Sequence, residues 1–325
     1  MEPIKANKRI DILDYLRGFA LGGIIFVNIL ALLSVKTPAP HSVDAAYQRF
    51  LFLFVEGRFY TIFSFLFGVG FYLFISRANE KGAMMVLRRM LVLFIFGIIH
   101  VRFHPGEALT VYATCGLILF PFYKAPKTVN LVVGLLMLIA LSIFSIKIFL
   151  PVPLMLLGIA AGQYRIFVEI RDKMKKIAIF TIILLVGSIL CLIYQFQFVP
   201  SIPFDIHEEK AFMKIGITIG PIISGLYGGV LIILLQIPFV QKGLSPLKSY
   251  GRMALTNYLS QTAFMLFAGS IFTHITYIQS FFLCIAIIMI QLMISVIWLR
   301  FFRFGPLEWV WRIITYLEVP PLKQK

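Results

Sequence analysis

Four ionisable side chains lie within eight residues of the segment GIIHVRFHPGEALTVYA: His100, Arg102, His104 and Glu107. A histidine and a carboxylate within reach of each other can act as a general base and its orienting partner, or as a nucleophile that carries an acyl group. We predict that His100 and Glu107 are the catalytic residues, because His100 continues the apolar run FIFGIIH and should face the protein interior. Arg102 and His104 are interpreted as polar residues of a solvated hairpin, with its turn at Pro105.

Polar residues also form a stripe along DILDYLRGFALGGIIFVNI. Asp14 and Asn28 are separated by two heptads, which places them on one face of a helix, and Arg17 follows Asp14 by three residues. Arg17 and Asp14 can neutralise one another near the end of the helix. The structural interpretation is an interfacial ion pair, and for Asn28 a hydrogen bond between helices. The functional interpretation is a polar path toward a ligand.

A second stripe lies in FVEGRFYTIFSFLFGVGFYLF, where Glu56, Tyr60, Ser64 and Gly68 follow at steps of four. An ionisable group at membrane depth costs several kcal/mol unless it is paired or hydrated, so Glu56 is a candidate functional residue. Arg58 is the obvious partner for Glu56, although residues two apart do not face each other on a regular helix. Either Gly57 interrupts the helix or Arg58 pairs elsewhere.

A third group lies in YGRMALTNYLSQT and FGPLEWVWRIITY. Arg252, with tryptophan and Arg312, is typical of a membrane anchor, or of a basic, aromatic lip that receives an anionic cytosolic ligand. Tyr112, five residues after Glu107, is expected to line the same cavity as Glu107. The candidate substrate- or donor-binding residues are Asp14, Arg17, Asn28, Glu56, Arg58, Tyr112, Arg252, Asn257, Gln261, Glu308 and Arg312.

The composition places these residues in a membrane protein. Of the 325 residues, 60% are hydrophobic and 14% charged, with a mean hydropathy of +0.93, which exceeds what a soluble core can bury. The pattern predicts an all-α, polytopic helical bundle with nine or ten transmembrane helices. Candidate spans are 12–34, 50–76, 86–102, 107–123, 128–148, 150–164, 177–198, 213–239, 253–273 and 279–301. The pair 128–148 and 150–164 is interpreted as two crossings or as one re-entrant hairpin.

The chain has a net charge of +16, and its basic residues are unequally divided between the two sides of the predicted bundle. If the chain crosses the membrane ten times, 22 of its 30 lysine and arginine residues lie on one side of the membrane, in both termini and in alternate loops. This predicts cytoplasmic termini and a multi-pass protein of the cell membrane, and it argues against nucleic acid as a partner. We predict one membrane domain over 1–325, with an N-terminal half 1–164, a basic loop 165–176 and a C-terminal half 177–325. The three cysteines show no metal-ligand spacing, and no metal site or permanently bound cofactor is expected.

The chain resembles the YeiB-like membrane proteins of bacteria, the family called domain of unknown function 418. The matching segments are RIDILDYLRGFALGGIIFVNI, GRFYTIFSFLFGVGF, FGIIHVRFHPGEALTVYA, LLGIAAGQYRI, GRMALTNYLSQT and GPLEWVWR. They cover nearly the whole chain in order. At the position of Glu107 the family more often has aspartate. Glutamate keeps the negative charge and has a side chain longer by one methylene group.

That family is in turn distantly similar to transmembrane acyltransferases of the heparan-glucosaminide N-acetyltransferase type, through the opening that here contains Asp14, Arg17 and Asn28. The similarity implies acetyl-CoA or another acyl-CoA as a cytoplasmic donor, and a small-molecule or cell-envelope acceptor on the far side of the bilayer. It also implies a catalytic histidine before the second helix, where this chain has His41. The alternatives are a transporter of a small polar or anionic solute and a non-enzymatic membrane protein.

Overall fold

The computed structural model describes residues 10–77, 82–168, 170–200, 206–272 and 274–324. Residues 1–9, part of the predicted basic tail, and 201–205, part of a predicted outer loop, lie outside these ranges. Within them the chain forms α-helices joined by short connections. The helices are α1 (Asp11–Leu32), α2 (Val43–Phe50), α3 (Arg58–Ile75), α4 (Gly82–His100), α5 (Leu109–Ile118), α6 (Lys127–Ile143), α7 (Pro151–Gln163), α8 (Ile170–Phe196), α9 (Ile206–Leu234), α10 (Pro238–Gly243), α11 (Ser245–Arg252), α12 (Ala254–Ile271), α13 (Tyr277–Phe301) and α14 (Pro306–Tyr316).

Six helical segments of the described chain are long and apolar enough to cross a membrane. They are Asp11–Leu32, Val43–Ile75, Gly82–His100, Ile170–Phe196, Lys210–Leu234 and Tyr277–Phe301. Three shorter apolar helices are Leu109–Ile118, Lys127–Ile143 and Lys147–Gln163. The predicted class, a helical membrane bundle, is therefore confirmed. The count of nine or ten crossings and the orientation of the termini stay predictions.

The predicted span 50–76 is wrong as one continuous helix. Its helix starts earlier, at Val43, and passes through a π-helical segment, Leu51–Val55, before α3 begins at Arg58. Gly57 has a φ of 77°, a left-handed conformation that a residue with a side chain adopts only with strain. The helix is interrupted at this glycine. The predicted loop 165–176 is also partly helical, because α8 begins at Ile170.

Helix α1 lies at the centre of the bundle, where it packs against α3, α9, α11, α12 and α13. Close approach depends on small residues: a side chain at Gly18 would overlap the backbone of Leu247 in α11, and one at Gly68 in α3 would overlap Met155 in α7. Helix α8 contrasts with α1, since most of its apolar side chains, such as Phe180 and Ile183, are exposed as expected for a lipid-facing helix.

Candidate functional site

One large cavity of about 2290 Å³ runs beside α1, α3 and α4. At one end, here called the arginine end, it is lined by Arg17, Arg77, Arg89, Arg252, Arg303 and Arg312. At the other, here called the turn end, it is lined by Asn28, Glu56, His104, Glu107 and Lys147. Arg17 and Asn28 are eleven residues apart on α1, so the cavity extends for roughly 16 Å along that helix.

Aromatic rings hold the guanidinium groups at the arginine end. The Cζ of Arg89 lies 3.7 Å from the ring centroid of Trp311 and 4.8 Å from that of Phe74. The indole of Trp311 donates to the backbone carbonyl of Arg89 at 2.9 Å, and Arg312 lies over Phe304 at 4.4 Å. Such contacts hold the plane of a guanidinium group against a ring and fix the position of the arginine.

Three of these arginines were missed as site residues by the sequence analysis. Arg77, Arg89 and Arg303 were counted there only as basic charge that sets topology. The signal that marks them is tertiary, because Arg89 reaches the cavity through its contact with Trp311, more than 200 residues away. Four candidate binding residues of the sequence analysis also line this end: Arg17, which pairs with Asp14 at 3.1 Å, and Arg252, Glu308 and Arg312. Their role in binding stays a prediction.

Glu308 joins α14 to the start of α12. Its carboxylate accepts hydrogen bonds from the backbone N–H groups of Leu255 and Thr256, at 2.7 and 3.1 Å, and from the Thr256 hydroxyl at 2.6 Å. An acidic side chain at a helix N-terminus is favoured by the helix dipole. Burial nevertheless raises the pKa of Glu308, against the opposing effect of these hydrogen bonds.

At the turn end, Glu107 caps α5. Its Oε2 accepts from the N–H and hydroxyl of Thr110 at 2.9 and 2.7 Å, and its Oε1 accepts from the N–H of Leu109. Burial alone would raise the pKa of Glu107, but the interaction with His100 and the bonds from Thr110 and Leu109 lower it below its ordinary value. The carboxylate is therefore ionised and held in one orientation on the cavity wall.

His100 and Glu107 lie together, as the sequence predicted, with His100 Nδ1 3.7 Å from Glu107 Oε1. On its other side, His100 Nε2 is 2.8 Å from the hydroxyl of Thr262 in α12. Because Glu107 is ionised, the favoured tautomer has its proton on Nδ1, facing the carboxylate, and Nε2 accepts from Thr262. Hydroxyl, imidazole and carboxylate thus lie in series, an arrangement in which the imidazole is oriented from both sides.

His100 itself is not among the described residues that line the cavity, whereas His104 is. His104 was predicted to lie in a solvated hairpin, and this prediction is wrong: only 1% of the residue is exposed. Its Nδ1 accepts a hydrogen bond from the backbone N–H of Gly106 at 2.9 Å. Burial, with a smaller contribution from His100, lowers the pKa of His104 to about 4, so the ring is neutral at physiological pH.

Tyr112 and Asn28 also line the cavity, as the sequence predicted for Tyr112. The phenol of Tyr112 accepts from Ser64 at 3.2 Å, and its ring stacks with Tyr60, 5.8 Å away. For Asn28, the predicted hydrogen bond between helices is absent among the contacts of the described residues. Its amide is therefore free to meet a ligand.

Both alternatives that the sequence left open for Arg58 hold: Gly57 interrupts the helix, and Arg58 pairs with groups other than the Glu56 carboxylate. The Glu56 carboxylate pairs with Lys147, which precedes α7. Arg58 is 1% exposed and donates to the backbone carbonyls of Leu53, Glu56 and Gly216, at 2.7 to 3.0 Å. The interruption at Gly57 separates these two side chains. Arg58 then pairs with the Leu53 and Glu56 carbonyls beside the interruption and with the Gly216 carbonyl of α9.

Asn257 and Gln261 belong to a buried polar network and not to the described cavity wall. Asn257 donates to Ser295 at 2.9 Å, and Gln261 donates to the phenol of Tyr250 at 2.6 Å. Tyr250 in turn donates to Gln291 at 3.0 Å. These bonds join α11, α12 and α13, and they account for the polar residues of GRMALTNYLSQT as packing contacts between helices.

Comparison with known proteins identifies the family. The sequence profile described as "Protein of unknown function (DUF418)" matches residues 161–318. An uncharacterised 39.9 kDa protein in the amylase 3′ region of Bacillus acidopullulyticus is 57% identical over 342 aligned positions, which cover 100% of this chain and 99% of the relative. The chain belongs to the YeiB-like DUF418 family.

Two further members of this family are more distant. The uncharacterised protein YxaH of Bacillus subtilis (strain 168) is 27% identical, covering 100% of this chain and 98% of its own. The uncharacterised protein YeiB of Escherichia coli (strain K12) is also 27% identical, covering 96% and 98%. No solved structure matches the chain. The described residues contain no cluster of three or more histidine, cysteine or acidic side chains that could hold a metal ion.

Proposed function

We propose that this DUF418 protein is a transmembrane acyltransferase that moves an acyl group from a cytoplasmic CoA thioester to a hydroxyl or amine on the outer side of the bacterial cytoplasmic membrane. The observation that supports this proposal is one continuous cavity, which is lined by six arginines at one end and by His104 and Glu107 at the other. Guanidinium groups are the preferred protein partners of phosphates. The biased distribution of basic residues predicts that the arginine end faces the cytoplasm.

In the proposed reaction, the phosphates of acyl-CoA lie at the arginine end and the thioester lies near Glu107. The acceptor oxygen or nitrogen attacks the thioester carbon and gives its proton to the Glu107 carboxylate. The C–S bond then breaks, the thiolate takes that proton, and the products are an ester or amide and free CoA. His100, fixed between Thr262 and Glu107, is a positioning residue that keeps the carboxylate oriented.

The test uses purified full-length protein in detergent with labelled acetyl-CoA. We expect saturable thermal stabilisation and slow release of free CoA, which an added acceptor accelerates. Glu107→Gln should bind acetyl-CoA and release CoA at least tenfold more slowly, because it loses the proton acceptor. Arg89→Gln should weaken binding, while Arg171→Gln, an equal charge change at an exposed position in α8, should not. Absence of both stabilisation and CoA release at millimolar acetyl-CoA would exclude this donor.

A transporter of a small anionic solute is the second candidate, and the break at Gly57 favours it. Transporters commonly bind their substrates at interrupted membrane helices, and Val43–Ile75 is interrupted where Glu56 lines the cavity. Flux of a labelled anion into proteoliposomes, without CoA release, would support the transporter over the acyltransferase. A role in packing alone would not require the cavity.

A further inference from the structure

The tautomer of His104 is fixed by the backbone. A peptide N–H can only donate, and the N–H of Gly106 points at Nδ1 of His104 from 2.9 Å. Nδ1 must therefore be the unprotonated nitrogen of the neutral ring, and Nε2 carries the hydrogen. A general base needs a free lone pair, which this Nε2 lacks. His104 is thus built as a hydrogen-bond donor.

The donor at Nε2 has no acceptor in the part of the chain that the structure describes. The nitrogen is buried, and the His104 side chain lines the turn end of the cavity beside Glu107. A buried N–H without a partner is costly, so such groups call for an explanation, and a ligand acceptor is one. The low pKa of His104 is consistent with this geometry, since it keeps the ring neutral at the working pH.

We infer that His104 Nε2–H binds the carbonyl oxygen of the acyl group that enters the cavity. The inference rests on the proposed function and adds the residue that recognises the acyl group. When the acceptor attacks the carbonyl carbon, the C=O electron pair moves onto oxygen, and a donor already in place stabilises that charge. The pair returns when the C–S bond breaks, so His104 neither gains nor loses a proton.

The test compares ligands that differ only in the carbonyl. Affinities of acetyl-CoA and of its thioether analogue S-ethyl-CoA are measured by calorimetry on the purified full-length protein. The variant His104→Asn can keep an acceptor for Gly106 N–H but has no donor at the position of Nε2. The control is His274→Asn, at an exposed histidine that is not among the residues lining the cavity.

We expect the wild type and His274→Asn to bind acetyl-CoA roughly tenfold more tightly than S-ethyl-CoA, and His104→Asn to bind the two equally. Nitrogen-15 shifts of the histidine rings should show the Nε2–H tautomer for His104 in the free protein. Equal affinities in the wild type, an unchanged preference in His104→Asn, or an Nδ1–H tautomer would each overturn the inference. Failure of the wild type to bind either compound would overturn the proposed function, and this inference with it.

Discussion

At the scale of single residues, His104 and Glu107 make the stability of the folded chain depend on pH. The pKa of His104 is about 4 in the folded chain and near 6.5 in an unfolded one, so the folded state favours the neutral ring. As the pH falls through this window, the unfolded chain binds a proton that the folded chain does not. The contribution of His104 to the free energy of unfolding is therefore constant above about pH 6.5 and decreases below it. Glu107, whose pKa is lowered, adds a loss in the same direction below about pH 4.5.

We expect the wild type to lose up to about 2 kcal/mol of stability between pH 6.5 and pH 5 through His104. His104→Asn removes this titration and should lose less over the same range. The measurement is the apparent melting temperature in detergent at pH 7.5, 6.5 and 5.0, with His274→Asn, at an exposed histidine, as the control that keeps the wild-type slope. Parallel curves for the wild type and His104→Asn would contradict the assigned burial of the ring.

The hydroxyl of Thr262 gives a second prediction. Thr262→Val keeps the shape but removes the donor to His100 Nε2, which leaves a buried nitrogen unpaired and should cost about 1–3 kcal/mol. Thr262→Ser keeps the hydroxyl and should lose less. Denaturant unfolding in detergent compares the two. If the serine variant were the less stable, the methyl contacts of Thr262 and not its hydrogen bond would matter most.

How far the sequence predicts the site depends on separation along the chain. The contact of His100 with Glu107 could be predicted because both lie in one hairpin. Thr262 could not, since it is brought to His100 from 162 residues away by the packing of α12. His104 was misassigned because its exposure depends on what covers the hairpin, and that is a property of the folded chain.

At the scale of helices, α1 and α11 approach through Gly18. A methyl group there would overlap the backbone of Leu247, which cannot move independently of α11, whereas Gly22 has open space around its Cα. We expect Gly18→Ala to lower the melting temperature by several degrees and Gly22→Ala, one turn away in the same helix, to be neutral or mildly stabilising. Thermal unfolding in detergent checks the pair. Equal effects would show that α11 is free to shift.

Helix boundaries were predicted well where one apolar run forms one helix. The spans 12–34 and 279–301 correspond to Asp11–Leu32 and Tyr277–Phe301 within two residues at each end. Hydropathy did not predict the interruption at Gly57, because a glycine inside an apolar run leaves the mean hydropathy of that run almost unchanged. It also did not separate α10 and α11 from their surroundings, since these short helices depend on contacts with the rest of the bundle.

At the scale of the whole molecule, the proposed reaction requires the arginine end and the C-terminus to face the cytoplasm. Single cysteines at exposed Arg102 and exposed Lys323 test this in intact cells. An impermeant maleimide should label Arg102→Cys but not Lys323→Cys, and both after permeabilisation, with the unsubstituted chain as the background. The reverse pattern would place the arginine end outside, away from cytoplasmic CoA, and would contradict the proposed donor route.

The central position of α1 has a consequence for how the protein is made. The partners of α1 in α11, α12 and α13 are synthesised more than 200 residues later, a delay of roughly ten to forty seconds at ordinary translation rates. During that interval α1 must reside in the bilayer without them. The Asp14–Arg17 pair lies within one helix turn, so it cancels both charges before any partner helix exists. The same two residues that border the finished cavity thereby ease the first insertion step of the nascent chain.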